Sequence, residues 1–126
     1  AVDFDQGNGR PSGHPMLQAI LRLVAPPGKR EEFLDVLLCL KGPTEVLDGC
    51  YACWVGQDAE NDHALTYFVQ WSGPESLAAH FRSERFRRLL PYIDMSAEPP
   101  QIDISAAERI GGIDFLLKTL DARTNR

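Results

Sequence analysis

Apolar positions along the chain recur with two different spacings. In MLQAILRLVA both alternating sets are apolar, Leu17, Ala19, Leu21 and Leu23 on one side and Met16, Ile20 and Val24 on the other. A strand covered on both faces has that pattern. After a Pro-Pro-Gly turn, Phe33, Val36, Leu37 and Leu40 return at helical spacing with charges between them, which predicts an amphipathic helix. Gly42-Pro43 is expected to break or kink it, with Thr44 to Leu47 forming a further turn. CYACWVG and ALTYFVQW read as two strands paired as a hairpin across the polar loop QDAENDH. Ser72 stands three residues before Glu75, with Pro74 between, and reads as a capping box opening a second helix. On that helix Leu77, His80 and Phe81 share a face, Ser83 is placed to interrupt it, and Phe86, Leu89 and Leu90 resume the stripe. AEPPQIDISAAERI gives a last strand with Ile102 and Ile104 on one side, and Ile113 to Leu120 a short terminal helix.

The order strand, helix, strand, strand, helix, strand predicts an α+β, ferredoxin-like βαββαβ fold: a four-stranded antiparallel sheet carrying both helices on one face. The other face is then bare. Because the first strand is apolar on both sides, a second copy of the same sheet is the expected cover, making a homodimer through the sheets. Residues 1–15, rich in Gly and Pro, are expected to be an arm, 16–108 the domain, and 109–126 a C-terminal extension whose apolar residues need covering.

Composition narrows the function classes. The chain has 126 residues, 44% hydrophobic, enough for one core and too few for two ordinary domains. Its net charge is −5, and the basic residues gather only in HFRSERFRR, so nucleic acid is not expected as a partner. No apolar run approaches the roughly 20 residues of a membrane span, and the start lacks a signal-peptide layout, so a cytoplasmic location without a membrane partner is expected. Cys39, Cys50 and Cys53 are an odd number, and in a strand Cys50 and Cys53 point to opposite faces, which argues for buried free thiols rather than a metal site.

Pro27-Gly28 before the first helix, Gly49-Cys50 entering the second strand, Trp71 ending the third, and His80 with Ser83 and Phe86 in the second helix resemble the antibiotic biosynthesis monooxygenase domain of the dimeric α/β-barrel superfamily. The resemblance runs from about Met16 to Ile104. It implies a dimer and an oxidoreductase that uses O2 on a quinol-, anthrone- or polyketide-like aromatic without a cofactor. Related alternatives are a non-catalytic small-molecule-binding domain and a proton-shifting isomerase. Haem-degrading members carry an Asn, a Trp and a haem-ligating His where this chain has Leu21, His80 and Leu90, so that branch is not expected.

Facing the sheet, His80 is the candidate catalytic base, kept neutral by burial; shaping the core is its plainer role. Trp71, Tyr67, Trp54, Tyr51 and Phe81 are candidate contacts for a small hydrophobic or aromatic ligand, with Tyr67 and Trp71 on one face of their strand as the preferred pair. As aromatics on strands and a helix they also suit a core. Arg82, Arg85, Arg87 and Arg88, with Glu75 and Glu84 nearby, read chiefly as a solvated face, with an anion-attracting rim or a dimer contact as the alternative.

Overall fold

The computed structural model describes residues 15–124. Strand β1 is Met16–Val24, helix α1 Arg30–Glu45, strand β2 Cys50–Gln57 and strand β3 Ala64–Trp71. Short helices α2 (Pro74–Arg82), α3 (Glu84–Arg87) and α4 (Leu90–Asp94) follow, then strand β4 (Gln101–Ala107) and helix α5 (Ile113–Thr124). The described residues form a four-stranded sheet in the order β2-β3-β1-β4, antiparallel throughout, which is the ferredoxin-like arrangement.

Register sorts the side chains. Leu21 lies opposite Tyr67, and Tyr67 opposite Val55, so alternate residues of neighbouring strands share a face. Ala19, Leu21 and Leu23 of β1 and Leu65, Tyr67, Val69 and Trp71 of β3 are buried under the helices with Phe33, Leu37, Leu40, Leu77, Phe86 and Leu89. α1 lies against β2, and α2 against β1 and β3. The opposite face carries Met16, Ile20, Trp54 and Phe68 around a Gln70–Gln18 hydrogen bond of 3.1 Å. Trp54 and Phe68 stack there with centroids 4.9 Å apart.

Several local expectations change. α1 continues through Gly42-Pro43 to Glu45. A proline in the last turn removes one hydrogen bond, to the carbonyl of Cys39, and that residue is exposed, so water replaces the missing donor. Of the thiols, Cys53 is buried, Cys50 partly, and Cys39 faces solvent because the buried stripe of α1 runs Phe33, Leu37, Leu40, Thr44. A bulge between Cys50 and Ala52 puts Cys50 opposite Trp71 and Cys53 opposite Val69, so two cysteines three apart reach the same face after all. Even so, no metal-binding group of His, Cys, Asp and Glu exists among the described residues. Ser72 does not cap α2: Gly73 occupies that position, Pro74 is the first helical residue, and Ser72 Oγ lies 3.0 Å from Ser76 Oγ. Leu90 is exposed because the chain turns into α4 directly after the buried Leu89.

Ser83 interrupts the second helical region as expected. Its extended backbone (φ −70°, ψ 154°) separates α2 from α3; its hydroxyl donates to the His80 carbonyl at 2.6 Å and accepts from Phe86 N at 3.2 Å. One serine thus ends one helix and caps the next.

Of the expected arm, residues 1–15, all but Pro15 fall outside the described residues. Ile102 and Ile104 point to the helix side of β4 yet stay 54% and 50% exposed, and on α5 Ile113, Phe115, Leu116 and Leu117 are likewise exposed. No helix among the described residues is long and apolar enough to cross a membrane.

Candidate active site

α2 carries His80 over the C-terminal half of β3. The imidazole is 1% exposed, 5.1 Å from the Trp71 ring and 6.0 Å from that of Tyr67 by centroid, with Phe86 edge-on at 5.4 Å. Tyr67 and Trp71 are there because alternation on β3 sends both toward the helices.

A buried chain of polar groups runs beneath. Cys53 Sγ lies 3.6 Å from Tyr67 Oη, and Tyr67 Oη 3.0 Å from His80 Nε2. Burial pushes the Tyr67 phenol and the Cys53 thiol up from their ordinary values, so both keep their protons at neutral pH. Burial, with the Arg85 cation nearby as a smaller cause, lowers His80 to about 4, so the imidazole is neutral. The tyrosine hydroxyl has a choice between a thiol sulfur, a weak acceptor, and an imidazole nitrogen, a strong one. The thiol donates to the tyrosine oxygen; where the hydroxyl donates to Nε2 the imidazole proton sits on Nδ1, which is buried without a partner among the described residues.

Beside this chain is a cleft of about 520 Å³ lined by Leu47, Asp48, Trp71, Ser76, Ala79, His80, Ser83 and Arg85. Gly49, at φ +87°, makes the turn that brings Leu47 and Asp48 to it; a Cβ at Gly49 would lie 3.1 Å from Ser72 Oγ. Trp71 Nε1 and Arg85 Nε, like His80 Nδ1, are buried without partners among the described residues. Buried N–H groups are ordinarily paired, and these three atoms are closed to solvent inside the walls of the cleft rather than open to it.

The structure brings together three of the residues singled out in the sequence, His80, Trp71 and Tyr67. Phe81 is half-buried against His80 and Phe86, at 5.9 and 5.0 Å by centroid, and flanks the histidine without lining the cleft. Trp54 lies on the far face of the sheet with Phe68, and Tyr51 occupies the β2 bulge, half-exposed; neither lines the cleft. Arg85, read as part of a solvated face, is instead half-buried at the cleft wall, carried there by the break at Ser83. Its one sequence signal was proximity to that serine.

The sequence pattern of the antibiotic biosynthesis monooxygenase family matches residues 16–91. The chain belongs to that family. No curated protein matches it. Among solved structures, a conserved protein from Methanosarcina mazei is similar at 25% identity and TM-score 0.68, over 75% of this chain and 95% of that one. PA3566 from Pseudomonas aeruginosa is similar at 24% and 0.67, over 75% and 96%. A structure named antibiotic biosynthesis monooxygenase is similar at 19% and 0.66, over 74% and 99%. These three neighbours are covered almost end to end, while about a quarter of this family member lies outside each alignment.

Proposed function

We propose that the protein is a cofactor-independent monooxygenase that oxidises a quinol-, anthrone- or polyketide-like aromatic with O2, with His80 as its catalytic residue. Family membership supports the oxidoreductase class. The observation that carries the reading at the site is the cleft itself: its volume, about 520 Å³, suits a planar fused-ring molecule, and the Trp71 and His80 rings stand among its lining residues.

The reaction needs no redox group from the protein. An anthrone CH2 loses a proton to give a carbanion in conjugation with its ring oxygen. One electron passes to O2, and the substrate radical and superoxide combine to form a C–O bond. The resulting peroxide anion takes up a proton to give the hydroperoxide, which breaks its O–O bond and loses the remaining hydrogen on carbon, leaving C=O and water. The balance is CH2 plus O2 to C=O plus H2O. The protein's part is to hold the anion and exclude bulk water.

In this reading the protein acts in the cytoplasm as a homodimer through the sheet face that bears Trp54 and Phe68, and the extension 109–126 clasps the neighbouring subunit or covers the cleft mouth. Oxygen uptake by the metal-stripped protein across anthrones and hydroquinones tests the activity. Uptake above the substrates' own autoxidation, lost in His80→Ala with the fold retained, is the expected result. Binding of those compounds without uptake sinks the oxygenase reading and leaves a binding domain; conversion without oxygen consumption indicates an isomerase.

A further inference from the structure

A second, smaller hollow lies between α1 and α3. It measures about 60 Å³, far below what a drug-sized molecule needs, and suits one arm of a small ligand. Val36, Leu40 and Leu89 make its apolar walls, and Cys39, Arg85 and Arg88 bring chemistry to it. Among the described residues no acidic side chain lines it, and neither arginine forms an ion pair with a carboxylate. Cys39 and Arg88 are exposed, while Arg85 is half-buried and also lines the larger cleft. The hollow belongs to the helix side, so a dimer through the opposite sheet face leaves it open.

Cys39 differs from the other two thiols. Cys53 is buried and Cys50 partly so, and burial pushes both up from their ordinary values. A thiol attacks as its thiolate, so these two are poor nucleophiles. Cys39 is open to solvent and shares its hollow with two unpaired cations. The chain as a whole, at −5, repels anionic reagents. A preference for them at Cys39 has to come from those two arginines.

We infer that Cys39, Arg85 and Arg88 form a modification site for small anionic disulfides, in which the guanidinium groups hold a carboxylate of the reagent and the thiol exchanges with its S–S bond. Arginine suits the carboxylate because its planar fork presents paired donors. Cys39 gives its proton to water, and its sulfur attacks one sulfur of the disulfide. A Cys39–S–S–R bond forms as the old S–S bond breaks, and the other half leaves as a thiolate. The protein thiol is oxidised and half of the reagent is reduced, so the disulfide itself is the oxidant. The site stands apart from the oxygenase reading and does not depend on it.

The test uses the full, reduced chain and two probes at equal concentration: glutathione disulfide, whose carboxylates leave it net negative, and cystamine, a cationic disulfide. Adducts are counted by intact mass and placed by peptide mapping. Glutathione disulfide is expected to modify Cys39 and spare Cys50 and Cys53, and Cys39→Ser is expected to take up no adduct. The ratio of its rate to that of cystamine is expected to fall about tenfold in the double variant Arg85→Gln/Arg88→Gln and about threefold in Arg88→Gln alone. Arg82→Gln removes a charge from the same basic run but outside the hollow, and should leave the ratio within about twofold of the parent. No adduct at Cys39 with millimolar glutathione disulfide overturns the inference, as does modification of Cys50 or Cys53 at a comparable rate. A ratio unchanged in the double variant, or one that falls as far in Arg82→Gln as in Arg88→Gln, also overturns it and leaves Cys39 an ordinary exposed thiol. Should the double variant fail to fold, Arg88→Gln, at an exposed position, decides alone.

Discussion

The two sides of strand β1 along the sheet meet different fates. Toward β3 the apolar residues are closed under α1 and α2: Leu65, Tyr67 and Val69 are almost wholly buried. Toward β4 the same kind of residue, on the same face of the same sheet, is left half-open, with Ile102 and Ile104 exposed and α5 showing Ile113, Phe115, Leu116 and Leu117 to solvent. Hydrophobic character alone does not say where a core is. The helices settle on β2, β3 and β1, and a fourth strand outside their footprint keeps its apolar side uncovered within one subunit. Polar chemistry follows the closed side, since orphaned N–H groups such as those of Trp71 and His80 exist where packing shuts water out.

This contrast is sharpest in the core itself. Phe33→Ala, at a fully buried site packed edge-on against Tyr92, is expected to cost about 3–5 kcal/mol in urea unfolding. A cost below that of a surface substitution would erase the distinction between the two regions.

A second check is acid. The unfolded histidine protonates near 6.5, but folded His80 is held at about 4. Between these values the unfolded chain binds the extra proton, so the contribution to stability is complete above about pH 6.5 and is lost as pH falls toward 4. The expected loss by pH 4 is about 3 kcal/mol. Unfolding followed across that window should show a shallower slope in His80→Asn; identical slopes would mean that the imidazole is open to water.

Tyr67→Phe keeps the ring and deletes the hydroxyl that links Cys53 to His80. It is expected to cost about 1–2 kcal/mol, chiefly from leaving Nε2 unpaired. A neutral result would place water in the gap.

On the open side the effects shrink. Ile104→Ser should change the stability of the dilute protein by no more than about 0.5 kcal/mol. Removal of residues after Gly112 should leave its melting temperature within a few degrees. A much larger loss, restored by raising protein concentration, would show these surfaces to be buried between subunits.

Much of this arrangement was legible beforehand. Alternation in ALTYFVQW placed Tyr67 and Trp71 on one face, and helical spacing put His80 over the sheet, so the heart of the cleft followed from two periodicities. What escaped depended on single irregularities. The bulge at Tyr51 shifts the phase of β2, sending Cys50 and Cys53 to one face and Trp54 to the other, and no periodic pattern announces a phase change. α4, only Leu90–Asp94, is too short to display a period. Arg85 sits in a run of charges whose ordinary meaning is solvent, and only the extended backbone at Ser83 turns it inward. Pro43 reads as a stop signal, yet in a helix's final turn it is tolerated.

Strand β3 presents Tyr67, Val69 and Trp71 to the cleft side and Phe68 and Gln70 to the opposite side, through the same run of backbone. Each set can therefore drift by point substitution while the other is untouched, and ligand preference and partner preference are free to evolve separately. A single inserted codon within that strand has no such freedom. It would exchange the two inventories at one stroke, carrying Phe68 under the helices and Tyr67 out to the far face. Descendants of this gene should vary freely in β3 spelling but hardly at all in β3 length.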